Sequence, residues 1–209
     1  KVFCDFGYLT SDDGITQEVA DLFSFFAHNY ERPRFKQLVV SPYTTRKRFT
    51  HLVRQEMKHA KSGRKGHIIL KLNNLVDAAM IELLYGASQA GVKVDLIVRG
   101  ICSLKPGVEG LSENIQVRSI VGRDLEHGRV LYFANDGDPF YFLSSADWMG
   151  RNLDRRVEVS VPIRDPQLQA QIGAMLELQL KDNVRARKLD VQLRNKFVAG
   201  RSKRIQLDS

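Results

Sequence analysis

Cysteine is nearly absent: the 209 residues hold two, Cys4 and Cys102. Two thiols far apart in sequence exclude a disulfide scaffold and a structural zinc site, and fit a reduced, cytoplasmic setting. Long apolar runs are missing too. No window approaches the roughly 18 residues of a membrane span, and no signal-peptide pattern opens the chain. There is no Gly-x-x-x-x-Gly-Lys-Ser/Thr loop, Arg99-Gly100 is no dinucleotide fingerprint, and no Gly-x-Ser-x-Gly elbow occurs. The acids Asp77, Asp95, Asp124, Asp147 and Asp154 are scattered, with no pair spaced as a metal cage, so no protein metal site is expected. The first residue is not methionine. The opening Lys1-Val2-Phe3-Cys4-Asp5-Phe6 reads as the inside of a folded element and suggests a piece of something longer.

What is present is an ordinary globular composition with an excess of positive charge. Hydrophobic residues make up 43% and charged residues 27%, enough to bury a core. The net charge of +8 implies an anionic partner: nucleic acid, nucleotide, another polyanion or an acidic membrane surface.

In chain order, a strand and exit turn are expected over residues 1 to about 10, then a helix from Ile15 to His28 with Val19, Leu22, Phe23 and Phe26 at helical spacing. The polar stretch Asn29 to Arg34 serves as a linker, placing a domain boundary near Lys36: residues 1–35 close one domain and residues 36–209 form another. The second unit alternates strands and helices. The strand Gln37–Val40 precedes a helix from Thr45 to Lys61, with His51 and His59 on or beside its polar side, in structural or solvated roles. The strand His67–Leu72, a helix from Ala78 capped by Asp77, and the strand Val92–Val98 then make a unit that builds parallel sheets. Ile115 to Val121 adds a strand, and Asn135-Asp136-Gly137-Asp138 is a hairpin turn between Arg129–Ala134 and Phe140–Leu143. Val157 to Ile163 is a further strand, and Asp165-Pro166 opens a helix to Asp182. After Arg185 the basic tail reads as loosely ordered. The expected fold is α/β, a mixed β-sheet flanked by helices on both faces.

Ligands of parallel sheets gather at the carboxyl ends of the strands, where Lys71 and Arg99 fall. His127 and Arg129 lie two apart at the head of an apolar run, so both reach into one space. An imidazole serves as a nucleophile toward phosphorus or as an acid for a leaving oxygen. Arginines beside it suit the charge of a transferring phosphoryl group, because a planar guanidinium matches phosphate geometry. With Arg129 on the same face, and Arg99 and Arg123 arriving from other strand ends, His127 is the candidate catalytic residue.

Several runs together carry a resemblance. Leu70-Lys71-Leu72-Asn73-Asn74-Leu75-Val76-Asp77, Leu96-Ile97-Val98-Arg99-Gly100-Ile101-Cys102 and Leu125-Glu126-His127 are similar to the C-terminal half of bacterial-type polyphosphate kinase. So are Ser144-Ser145-Ala146-Asp147-Trp148-Met149 and Arg151-Asn152-Leu153-Asp154-Arg155-Arg156-Val157-Glu158-Val159. The resemblance spans nearly the whole chain in order. It implies a phospholipase-D-like fold with two related catalytic domains sharing one site, residues 1–35 ending the first and residues 36–209 forming the second. His127-x-Arg129 and Ser144-Ser145-Ala146-Asp147 resemble that superfamily's His-x-Lys and Gly-Ser-x-Asn motifs, with arginine in place of lysine.

The family reversibly transfers the terminal phosphate of ATP to inorganic polyphosphate through a phosphohistidine, which by the resemblance lies upstream of Lys1. His127 then corresponds to the second active-site histidine, in contact with nucleotide phosphates, and Arg99 to a nucleotide-binding arginine. Phe3 falls where the family often has a nucleotide-contacting tyrosine, keeping the aromatic face without the hydroxyl. Lys71, Arg123, Arg129 and Arg151 are expected to line the polyanion path on their charge and their place near strand ends. Further expectations are Mg2+ arriving with ATP, ATP/ADP and polyphosphate as ligands, upstream domains of the same polypeptide as partners, a homo-oligomer, and no nucleic acid. Two alternatives stay open: a phosphodiesterase or nuclease of the same superfold, and a non-catalytic module that binds a polyanion.

Overall fold

The computed structural model describes residues 3–28, 33–122 and 125–198. The chain begins with β1 (Phe3–Cys4) and α1 (Asp13–Ala27), continues through β2 (Val39–Ser41) and α2 (Thr45–Lys61), and then lays down β3 (His67–Leu72), α3 (Ala78–Gln89), β4 (Lys93–Val98) and β5 (Ile115–Ile120). The short β6 (Leu125–Glu126) precedes β7 (Arg129–Phe133), a 3-10 turn at Asn135–Gly137, β8 (Phe140–Ser144), α4 (Gly150–Asp154) and β9 (Glu158–Ile163). Last come α5 (Pro166–Lys181), β10 (Ala186–Leu189) and β11 (Asn195–Phe197).

Nine of these strands form one sheet in the order β11-β10-β5-β4-β3-β7-β8-β9-β2, while β1 and β6 pair alone as a parallel two-stranded ribbon. Only β3/β4 and β4/β5 are parallel in the large sheet. The helix between β3 and β4 explains this, since a parallel pair needs a crossover and a hairpin does not. Asp77 caps that helix, accepting from the Met80 N–H at 3.0 Å, and Asp165 caps α5, where Pro166 occupies the first turn.

Both sheet faces are covered, as the near-continuous apolar character of β3 and β4 requires. On one face Phe49 of α2 is fully buried against Phe133, Phe142 and Trp148, with ring centroids 5.6–6.3 Å apart. On the other, Leu176 of α5 packs with Ile69, Ile97 and Val130. The expected fold class is the one observed.

Residues near the start are fastened to this body. Ile15 and Leu22 of α1 pack on Leu38 and Val40, and the buried Glu18 carboxylate accepts from the N–H groups of Lys36, Gln37 and Leu38. The first four residues of the expected linker, residues 29–32, lie outside the described residues. His51 is exposed, as expected for a solvated histidine, whereas His59 is buried.

The segment after Arg185 is not loose where it is described. Asp182 turns the chain by accepting from the N–H groups of Val184, Arg185 and Ala186, and β10 then pairs antiparallel with β5 from Ala186↔Ile120 to Leu189↔Val117. β10 is paired on its other side by β11, which forms the edge of the sheet, so these lysines and arginines belong to paired strands rather than to a coil.

Candidate functional site

Sheet topology brings several polar strand ends to one rim. The parallel strands β3 and β4 end there at Leu72 and Val98, and β7 starts there opposite the end of β8, with Arg129 paired to Ser144. The loops beyond are stitched together. The Leu75 N–H donates to Ile101 O at 2.8 Å, the Trp148 N–H to Asn74 O at 3.2 Å, and the Gly100 N–H to Asn73 O at 2.7 Å. Gly100 is required by that packing: a Cβ there would lie 2.8 Å from Asn73 O and 2.7 Å from Asn74 Oδ1.

Against this rim lies a cleft of about 620 Å³ whose walls include His127, Arg99, Arg129, Arg151 and Arg156. His127 stands at its edge with the side chain 39% exposed, and its Nδ1 is 3.1 Å from Asp5 Oδ2. Asp5 reaches it because β1 runs beside β6, where the His127 N–H donates to Cys4 O at 2.8 Å. Gly128 lets the chain pass: a Cβ would lie 2.3 Å from the Phe6 ring. Burial pushes the Asp5 carboxyl up, but the bonds from His127 and the Phe6 N–H outweigh it and leave the group below the ordinary carboxylate range.

Asp147 organises the floor. It is buried, and its carboxylate accepts from Arg129 Nε at 2.8 Å, the Asn73 N–H at 2.9 Å and Asn74 Nδ2 at 2.9 Å. Burial again raises its pKa, and the Arg129 and Asn74 bonds more than reverse that. Arg129 also donates to His127 O at 3.1 Å, and Asn73 links the same oxygen, at 3.2 Å, to Arg99 Nε, at 2.8 Å. Arg99 and His127 are thus coupled through one asparagine.

The charge balance favours an anion. Three carboxylates face the cleft, and each already accepts from the protein: Asp5 from His127, Asp147 from Arg129, and Glu158 from Ser145 and Asn152. Arg99, Arg151 and Arg156 meet no carboxylate among the described residues. A phosphate chain entering here finds guanidinium donors whose charge is not yet compensated. No group of three or more His, Cys, Asp or Glu among the described residues is arranged to hold a metal ion.

Of the residues singled out in the sequence, His127, Arg99, Arg129 and Arg151 come together in this cleft. Lys71 does not line it: its ammonium is buried and held by Glu126 Oε2 at 2.8 Å, next to Gln179 of α5. Arg123 and the Phe3 side chain lie outside the described residues, although the Phe3 backbone pairs with Leu125. Asp5, Asn73 and Glu158 were not picked out as site residues. Asn73 and Glu158 lie within runs that carry the resemblance, the only local signal; Asp5 is brought in from 122 positions away by a two-residue strand pairing.

The fold is phospholipase-D-like. The chain superposes on a phospholipase D family member, Nuc, from Salmonella typhimurium with a TM-score of 0.50 at 13% identity, covering 74% of this chain and 97% of that one. At that identity the match shows the fold alone. The family is shown more closely. Residues 38–208 match the family model described as polyphosphate kinase C-terminal domain 2. The crystal structure of polyphosphate kinase from Porphyromonas gingivalis superposes with a TM-score of 0.91 at 40% identity, over 95% of this chain and 30% of that chain. A polyphosphate kinase of Vibrio vulnificus is 45% identical over 207 residues, which is 99% of this chain and 30% of the relative. One from Parasynechococcus marenigrum is 48% identical over 183 residues, 88% of this chain and 26% of the relative. The chain belongs to the polyphosphate kinase family and spans about 30% of the length of the curated relatives it matches first. Among the described residues no helix is long and apolar enough to cross a membrane.

Proposed function

We propose that this chain supplies one half of the active site of an ATP–polyphosphate phosphotransferase, in which the terminal phosphate of ATP passes reversibly to inorganic polyphosphate through a phosphohistidine outside this chain. The observation that carries the reading is the cleft itself: His127 beside Arg99, Arg151 and Arg156, with every carboxylate on the walls already hydrogen-bonded to the protein. Transfer of a phosphoryl group is mostly positioning and charge stabilisation, which is what uncompensated arginines at a rigid rim provide.

In this reading His127 is the second active-site histidine. Asp5 orients its ring, as a carboxylate orients the imidazole of a hydrolase, and the ring gives or takes the proton of the leaving or attacking oxygen. Arg99 and Phe3 meet the nucleotide, Arg151 and Arg123 hold phosphates of the polymer, and Arg129, neutralised by Asp147, fixes the rim. Lys71 acts from behind, through Glu126, the residue next to His127. Magnesium comes bound to the nucleotide and needs no cage from these residues. Residues 1–35 belong to the first catalytic domain and residues 36–209 to the second, so upstream domains and a second copy of the whole polypeptide are the expected partners.

Steady-state kinetics of the full polypeptide test these roles. His127→Ala is expected to lower kcat by roughly 10²–10⁴-fold, the ordinary share of acid–base catalysis, while Arg99→Ala chiefly raises KM for ATP. If His127→Ala weakens polyphosphate binding and leaves kcat intact, the chain is a binding module and not a catalytic half.

A further inference from the structure

A second cleft, of about 700 Å³, opens at the other end of the sheet. Phe140 and Ile163 stand there, at the ends of β8 and β9 away from Ser144 and Glu158, so about 13 Å of strand separates it from the His127 cleft. Its walls are of two kinds. Phe140, Phe142 and Ile163 make an apolar floor, and the N-terminal turns of α2 bring Lys47, Arg48 and His51 over it.

The cations have little to do within the protein. Among the described residues neither Lys47 nor Arg48 meets a carboxylate, and Asp138 is the one acid among the described residues of the lining. Arg48 is half-buried, its guanidinium carbon 5.4 Å from the centroid of the Phe140 ring, and burial lowers its pKa from the ordinary value with no opposing contribution. Both residues also sit at the positive end of the helix dipole, in a first turn without an acidic residue, where cations are disfavoured. Arg46, beside them, is by contrast fully engaged by Asp77 and Asp154. Uncompensated charge of this kind, beside an aromatic wall, breaks local rules in a way that marks binding sites.

From the pairing of a cationic rim with an apolar and aromatic floor in a ligand-sized cleft, we infer that this is a second site, for a nucleoside phosphate. An inorganic anion has no use for the floor, and an apolar ligand has no use for Lys47. A planar base gains from stacking with Arg48 and Phe140, because a guanidinium layers on flat rings, while the phosphates meet Lys47 and His51. The site stands independently of the reaction proposed above, since occupancy alone reads it.

Equilibrium dialysis of the full polypeptide with radiolabelled ATP, in the absence of polyphosphate, tests the inference. The expected result is a binding event that persists in Arg99→Ala and is weakened about tenfold or more by Lys47→Glu, the loss of a charge-assisted contact. Lys47 is exposed, so Lys47→Glu is read without loss of the fold, and Arg48→Ala should act in the same direction. ATP binding unchanged in both Lys47→Glu and Arg48→Ala overturns the site. Displacement by tripolyphosphate as effective as by unlabelled ATP overturns the nucleoside and leaves a general anion patch.

Discussion

Asp147 shows how much of the site rests on one buried carboxylate. It holds Arg129, Asn73 and Asn74 at once, with its own side chain 5% exposed and that of Arg129 10% exposed. Removing one partner of a buried pair leaves an uncompensated charge, so Asp147→Ala should cost about 3–5 kcal/mol, measured by urea unfolding at neutral pH. Asp147 also titrates lower in the folded chain than in the unfolded one. Its contribution is therefore present above the unfolded carboxylate pKa, about 3.9, and is lost as pH falls from there through the folded value. Asp147→Asn should flatten that acid limb of the stability profile; an unchanged limb would assign acid unfolding to other carboxylates. The sequence offered Asp147 only as part of the run Ser144-Ser145-Ala146-Asp147. It could not show that this acid pairs with Arg129.

At the scale of elements, periodicity and caps were legible and long-range pairing was not. The helix over Thr45–Lys61 and the strand over His67–Leu72 have the bounds that their apolar spacing predicts. The Asp77 and Asp165 caps are likewise where local chemistry puts them. By contrast β1, β6 and the β10–β11 hairpin are two to four residues long, too short for an alternation signal, and their partners lie far off in sequence. Asp5 joins the site by that route and Lys71 leaves it, because which face Lys71 takes depends on Glu126 and α5. Phe49 is the element-scale keystone, joining α2 to β7, β8 and the Trp148 loop that follows Asp147. Phe49→Ala should lower stability by about 3–5 kcal/mol, measured by urea or thermal unfolding, and loosen that loop; a cost under about 1 kcal/mol would mean that the aromatic stack is not what fixes it.

At the scale of the molecule, the net charge of +8 finds a place in two cationic clefts at opposite ends of one sheet. Extended contact with a polyanion is screened by salt over a Debye length of about 8–10 Å near physiological strength. Polyphosphate affinity should therefore fall steeply between low and physiological salt, followed by filter binding, and Arg151→Ala with Arg156→Ala should make the fall shallower. A flat response would separate the charge from polymer binding. The most direct measurement follows the γ-phosphate of labelled ATP with the full polypeptide, its His127→Ala form and the 209-residue chain alone. The expected result is acid-labile polymer from the full polypeptide, a severe loss in His127→Ala, and no label fixed by the 209-residue chain. Phosphohistidine formed on that chain alone, or undiminished polymer from His127→Ala, would contradict the division of the active site proposed here.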